Sequence, residues 1–284
     1  MNILITGAKG QLGNELRKIS DNRQRYCYFF TDVDELDITD EAAIDVFMSR
    51  HGINTVINCA AYTAVDKAES DEPAAMLING AAVAFLANAC NKMNAALIHI
   101  STDYVFDGCA CIPYKEEHCT NPATAYGRSK LAGEQAALTA KKSLIIRTSW
   151  LYSSFGNNFV KTMLNLGKKQ ETVRVVSDQT GTPTYAGDLA KMIMKIVDKL
   201  TENDLMFGIF NYSNDGCCSW YDFAVEIMQQ ANLKCTVQAI ESKDYPTPAQ
   251  RPHYSVLNKE RIKNCLDIEI PHWKDSLRRC IAEL

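Results

Sequence analysis

Tyr126 and Lys130 stand four residues apart in the run Tyr126-Gly127-Arg128-Ser129-Lys130. On a helix, that spacing stacks the two side chains one above the other on one face. An ammonium favours the ionised phenol, so the tyrosine pKa is expected to fall from about 10 toward working pH. A phenol tuned this way can hand a proton to a carbonyl oxygen while a hydride arrives at the carbon. Alone, the pair is equally a surface tyrosine and lysine on an ordinary helix. The upstream sequence changes that balance. Thr6-Gly7-Ala8-Lys9-Gly10-Gln11-Leu12-Gly13 lies between an apolar strand and a helix. Gly7, Gly10 and Gly13 permit a tight turn, close backbone approach and helix–strand contact, and the amides of the helix opened by Gln11 and Leu12 then face a pyrophosphate. The spacing has one more residue than the G-x-G-x-x-G fingerprint, but its place directly after an N-terminal strand is the context that fingerprint needs.

These groups need elements to position them. Strand-like runs over 2–6, 26–31, 55–59, 96–101 and 143–148 alternate with helical patterns over 11–19, 40–51, 73–93 and 122–140. Such alternation means βαβ crossovers and a parallel sheet, a doubly wound Rossmann-type α/β fold. The second half is less regular: helices are expected over 158–168, 188–200 and 219–231, with Ser219 as an N-cap, and strands over 172–176 and 208–212. Prolines 246, 248, 252 and 271 break the tail, and no clean linker appears. A smaller C-terminal substrate-binding lobe is therefore expected to interleave with the dinucleotide-binding domain. The latter takes residues 1–150 with returning segments near 187–212, and the lobe takes 151–186 and 213–284.

Further candidates fall at strand ends, where ligands of such sheets bind. Asp32, at the end of the second strand, is the candidate for the adenosine ribose, with Asp34 second; Asp37 and Ile38 follow against the adenine. An aspartate here disfavours a 2′-phosphate and so leans toward NAD. Small residues in Asn58-Cys59-Ala60-Ala61-Tyr62-Thr63 allow backbone approach to a cofactor, making Ala61, Tyr62 and Thr63 candidates. In Ser101-Thr102-Asp103, a hydroxyl can bind a substrate carbonyl oxygen and Asp103 a sugar hydroxyl.

Composition narrows the partners. A net charge of −4 and a pI near 5.8, with no basic stretch, argue against nucleic acid. No apolar run is seen to approach the ~20 residues of a membrane span. The N-terminus lacks a basic region before its apolar residues, so it is not read as a signal peptide, and a cytoplasmic protein is expected. Eleven scattered cysteines are expected as free thiols. Cys109, Cys111, His118 and Cys119 match zinc spacings poorly, so no metal is expected.

The series G-x-x-G-x-x-G, N-x-A-A-x-T, S-T-D-Y-V-F and Y-G-x-S-K resembles the extended short-chain dehydrogenase/reductases. Thr63-Ala64-Val65-Asp66-Lys67-Ala68-Glu69, Arg147-Thr148-Ser149-Trp150-Leu151-Tyr152, Gly156-Asn157-Asn158-Phe159-Val160, Asp178-Gln179, Pro183-Thr184 and Arg251-Pro252 extend the likeness over nearly the whole chain, toward the dTDP-4-dehydrorhamnose reductase family. The resemblance implies an NADPH- or NADH-dependent reduction of a dTDP-4-keto-6-deoxyhexose. Tyr126 would be the proton donor, Lys130 would tune it and hold the nicotinamide ribose, and Thr102 would bind the keto oxygen with Asp103 beside it. Trp150 would pack on the deoxysugar and Arg251 would meet the diphosphate. A non-catalytic regulatory subunit of the same fold, like the methionine adenosyltransferase beta subunit, and a nucleotide-sugar epimerase or dehydratase are the alternatives. Coenzyme preference and assembly stay open, with a homodimer as one arrangement.

Overall fold

A computed structural model describes residues 1–21, 25–202 and 207–284. The chain opens with β1 (Asn2–Thr6), buried on both faces as a strand inside a parallel sheet must be. Then come α1 (Gln11–Ser20), β2 (Cys27–Phe30), α2 (Glu41–His51) and β3 (Thr55–Asn58). Asp40 caps α2 by accepting from Ala43 N–H, and Gly52 ends it in the left-handed region.

Two short helices, α3 (Val65–Ala68) and α4 (Glu72–Met76), lead through a π turn over Leu77–Ala81 into α5 (Ala82–Met93). The sequence pattern predicts one unbroken helix over 73–93; the break serves Asn79. Its buried amide accepts from Tyr62 N–H at 2.8 Å and donates to Tyr62 O at 3.0 Å and Ser129 Oγ at 2.9 Å. Such π turns insert one extra residue and concentrate at functional sites. The expectation that nothing approaches the length of a membrane span also needs correction. Glu72–Met93 has that length and apolarity, with half of its most apolar window buried inside the protein.

β4 (Ala96–Thr102) ends in a single 3₁₀ turn over Asp103–Val105 and is followed by α6 (Ala125–Ala137). α6 is shorter than the predicted 122–140 because Thr124 caps it by accepting from Gly127 N–H, leaving Pro122 outside. Beyond β5 (Ser143–Thr148) lie β6 (Leu151–Tyr152), α7 (Phe159–Gly167), β7 (Thr172–Val176), β8 (Thr180–Gly181) and β9 (Thr184–Tyr185). α8 (Ala186–Glu202) and β10 (Gly208–Asn211) precede β11 (Cys218–Ser219), α9 (Trp220–Gln230) and β12 (Thr236–Ile240). The chain ends in α10 (Glu260–Leu266) and α11 (Trp273–Ile281), two helices that the proline-broken tail had concealed.

Six parallel strands form the main sheet in the order β10-β5-β4-β3-β1-β2. Alternate side chains face opposite layers. Ile3 and Ile5 meet Leu12 and Leu16 of α1 and Leu189 and Ile193 of α8. Leu4, between them, meets the other layer, where Ile44 and Met48 of α2 and Leu86 of α5 pack. Helices thus cover both faces, the doubly wound Rossmann-type arrangement the alternation predicts. A third core, around Tyr152, Phe223 and Trp273, joins α7, α9 and α11 with the parallel pair β7–β12. Between visits to that core the chain returns to the sheet, laying α8 on α1 and β10 beside β5.

Candidate active site

The carboxyl ends of β1, β3, β4 and β5 open into a crevice of about 1040 Å³ that continues to Trp150 and Arg251. The coenzyme and substrate candidates singled out above line it, with two exceptions, Asp34, which pairs with Lys9, and Tyr62. Both backbone polar groups of Tyr62 are held by Asn79, and its ring packs with Ala68, Ala75 and Ala125 behind the crevice wall. Its ring thus lies outside the lining, while Ala61 and Thr63 on either side of it border the crevice.

At one end, Gly7 has φ +63, and a Cβ there would lie 2.6 Å from Ala60 N. Only glycine lets the loop pass that close to the end of β3. α1 starts at Gly10 with no side-chain cap and no acidic residue in its first turn. Its first amides are thus free for an anion, so the loop fits a dinucleotide's pyrophosphate. Asp32 accepts from Lys9 N–H at 2.9 Å and Val33 N–H at 3.0 Å, fixing the glycine loop while it borders the crevice. Lys9 Nζ pairs with Asp34 at 2.6 Å and with Glu35 at 3.5 Å. Asp37 accepts from Thr39 N–H at 2.9 Å, closing its own turn, and Ile38 is buried among core residues. Gln11 Oε1 accepts from Asn158 Nδ2 at 3.0 Å, which ties the glycine loop to the start of α7.

Mid-crevice, α6 presents Tyr126 and Lys130. A buried ion pair pins this helix: Arg147 of β5 donates to Glu134 Oε1 at 2.9 Å and Oε2 at 2.7 Å, and Ser101 Oγ donates to Glu134 Oε1 at 2.5 Å. The expected drop in the tyrosine pKa is overturned. Burial pushes the Tyr126 phenol up from its ordinary value; a hydrogen bond with the Thr102 hydroxyl offsets part of this, and the charges of Asp103 and Tyr104 add to it. Spacing places lysine on the same face but does not decide where its ammonium points. Lys130 Nζ donates to Ile100 O at 2.6 Å. Burial pushes this lysine down to about 8, against the opposing charge of Glu134. Asp103, also buried, is pushed up to about 6 by loss of water, with Ser255 and Thr102 holding it back in part.

Toward the lobe, Trp150 takes φ +46, a left-handed value rare for so bulky a residue. Its indole lies over Gly181, where a Cβ would come within 2.5 Å of the ring, and stacks on Trp220 with centroids 3.6 Å apart. Arg251 donates to Asp66 Oδ2 at 2.7 Å and to the Tyr104 hydroxyl at 3.2 Å. Trp220, Lys9 and Asn157 line the crevice too and were not singled out. Trp220 sits just after a recognisable N-cap, but nothing local marks its ring as facing Trp150. Cys109, Cys111 and Cys119 are exposed thiols outside this lining. Among the described residues, no three His, Cys, Asp or Glu side chains converge to hold a metal ion.

A family profile described as RmlD substrate binding domain matches residues 1–284. The chain belongs to this family. The dTDP-4-dehydrorhamnose reductase of Aggregatibacter actinomycetemcomitans is 41% identical over 288 residues, covering 99% of this chain and 98% of the relative. The solved dTDP-4-dehydrorhamnose reductase of Clostridium acetobutylicum is 43% identical with a TM-score of 0.94, over 100% of this chain and 99% of that one. That of Bacillus anthracis, solved in complex with NADP, is 39% identical with a TM-score of 0.95 over the same shares. The resemblance carried by the motifs therefore extends over the entire RmlD-type chain.

Proposed function

We propose that this chain is an NADPH- or NADH-dependent reductase that converts dTDP-4-dehydro-L-rhamnose to dTDP-L-rhamnose, the last step of dTDP-rhamnose synthesis. The supporting observation is the convergence of Tyr126, Lys130 and Thr102 between the uncapped start of α1 and the Trp150–Trp220 pair. A bound reduced nicotinamide supplies the hydride. Tyr126, kept protonated at neutral pH by its burial, holds the proton that the keto oxygen needs as it gains negative charge. An alkoxide is a stronger base than a phenolate, so that transfer runs downhill once the hydride has moved. The Thr102 hydroxyl, which donates to Asp103 Oδ1 at 3.0 Å, lines the crevice beside the phenol and would turn to the same oxygen, adding a donor where charge develops. Lys130 presents its charge beside the coenzyme ribose.

Asp103 is proposed for a sugar hydroxyl and Trp150 for an apolar face of the deoxysugar. Arg251 is proposed for the diphosphate, where a planar fork matches two oxygens. Gly7, Gly10, Gln11, Leu12, Gly13, Asp32, Asp37, Ile38, Ala61 and Thr63 are assigned to the coenzyme. The dinucleotide-binding part is taken as 1–150 with 187–212, of which 203–206 lie outside the described residues, and the substrate lobe as 151–186 with 213–284.

The test is absorbance at 340 nm with each coenzyme and a panel of nucleotide-linked 4-keto sugars. Net oxidation of coenzyme with the dTDP-4-dehydro-L-rhamnose substrate is expected, falling by about 10²–10⁴-fold in Tyr126→Phe with coenzyme affinity retained. No turnover, together with tight binding to a partner enzyme, would favour a regulatory subunit. Conversion without net oxidation would favour an epimerase or dehydratase.

A further inference from the structure

The register of three neighbouring strands lines up a row of polar side chains beneath the catalytic pair. Thr6 of β1 stands opposite Asn58 of β3, and Asn58 stands opposite His99 of β4. All three are buried to 1% exposure or less, where a parallel sheet ordinarily places apolar residues. Thr6 Oγ1 lies 2.7 Å from Asn58 Oδ1, and Asn58 Nδ2 lies 3.0 Å from His99 Nδ1. The row ends at the crevice, with His99 Nε2 at 3.5 Å from Lys130 Nζ. Among the described residues, the ring nitrogens of His99 have no other hydrogen-bond partners.

A buried polar group must be satisfied or it destabilises the fold, so this row needs a reason. Burial, reinforced by the ammonium of Lys130, holds the His99 pKa well below the usual imidazole value. The ring is therefore neutral and carries one N–H. With that proton on Nδ1, donated to Asn58 Oδ1 once the amide is turned over from the orientation that sets Nδ2 against the ring, Nε2 can accept from a charged lysine. With it on Nε2, the ring can donate to a neutral lysine amine while Nδ1 accepts from the Asn58 amide. The Asn58 amide and the Thr6 hydroxyl can present a donor or an acceptor, so the row can run in either direction.

We propose that His99 is a positioning residue for Lys130, a neutral imidazole whose tautomer follows the charge of the lysine and holds its amino group in place in both states. Going from one state to the other releases one proton to solvent overall, and the ring is neutral at both ends. Such a device matters because Lys130, held down to about 8, changes charge near working pH. The other charged or titratable groups around the pair do not supply it. Cys59 of β3 is pushed up to about 12 and is a neutral thiol. Glu134 is engaged by Arg147 and Ser101. Asp103 and Tyr104 act on Tyr126. Arg128 points outward to Glu72, and Glu69 accepts from Ala125 N–H.

The test is long-range proton–nitrogen NMR on the full chain labelled with ¹⁵N in its five histidines, from pH 6 to 10, with His99→Gln identifying the signal. The His99 proton is expected on Nδ1 at low pH and on Nε2 at high pH, crossing near pH 8, with one fixed tautomer in Lys130→Met. A single tautomer throughout in the wild type, or a switch that persists in Lys130→Met, overturns the proposal. A second arm rests on the reductase reading and measures coenzyme dissociation constants against pH. Without an acceptor, the ammonium is less well solvated, so His99→Met should lose affinity about one pH unit earlier than the wild type, roughly fivefold at pH 8. His99→Gln should restore the position. Coincident profiles for His99→Met and wild type count against the proposal, and the wild-type tautomer decides if the methionine variant does not fold. Because the tautomer needs no turnover, a switch without keto-sugar reduction would strike the reaction alone.

Discussion

Trp150 lies flat against Trp220, with ring centroids 3.6 Å apart and planes 10° from parallel. One ring leaves the end of β5 in a left-handed conformation, and the other begins α9. Their contact joins the sheet edge to the lobe at the rim of the crevice. Phe159 supports the pair, its centroid 4.6 Å from Trp220.

Trp220→Ala should therefore loosen Trp150 and weaken sugar binding without touching the coenzyme. A stacked aromatic pair is worth about 0.5–1.5 kcal/mol, so KM for the nucleotide sugar should rise up to about tenfold. Coenzyme affinity, read by titration, should change less than about twofold by the same reasoning. A weakened coenzyme with unchanged KM would place this pair outside the sugar pocket.

The parts of the site legible in the sequence are those whose residues are close along the chain. The glycine turn and the Tyr126/Lys130 helix are set by local spacing, and both border one crevice. Contacts between distant residues were not legible. Nothing near Asp66 announces Arg251, nor does Gln11 announce Asn158. The phenol's pKa failed for another reason. Helical spacing makes Tyr126 and Lys130 neighbours but does not say that both lose water or that the ammonium turns to Ile100 O. α10 and α11 escaped notice because short helices between prolines lack a long periodic signal. Asn79 escaped because only the partners it grips, Tyr62 and Ser129, explain the π turn.

Lys130 should destabilise the fold it serves. Its folded pKa of about 8 lies below the ordinary lysine value, so the unfolded chain binds more protons between about 8 and 10.5. Stability then rises with pH through that window, and the penalty is fully present below it. The gap corresponds to about 3 kcal/mol at most. Lys130→Met should be more stable than wild type at pH 7 by about 1–3 kcal/mol in urea unfolding, and the difference should shrink by pH 10. It should also bind coenzyme poorly. A variant less stable at pH 7 would mean that the bond to Ile100 O outweighs the burial.

Asp103 titrates in the other direction with a similar consequence. Its folded pKa of about 6 exceeds the ordinary value of 3.8, so the native state binds more protons between those limits. Its contribution therefore falls as pH rises from about 4 to 6, by about 3 kcal/mol at most. Asp103→Asn should remove that component. The melting temperature of the variant, relative to wild type, should climb between pH 4.5 and 7. Parallel melting curves across that range would show that Ser255 and Thr102 already compensate the buried charge.

Arg251 offers the sharpest choice between a structural and a substrate role. Its pair with Asp66 is only partly buried, with side-chain exposures of 29% and 41%, so solvent screens it. An ion pair of this kind contributes about 0–1 kcal/mol to stability. Arg251→Lys keeps the charge but loses the fork that reaches Asp66 and the Tyr104 hydroxyl together. If the guanidinium meets a diphosphate, KM for the nucleotide sugar should rise about tenfold or more, with stability changed by less than about 1 kcal/mol. Asp66→Asn should then free the guanidinium and leave KM equal or lower. The opposite pattern, lost stability in both variants with KM unchanged, would make this contact a brace between α3 and the 245–253 segment and would assign the diphosphate to other residues.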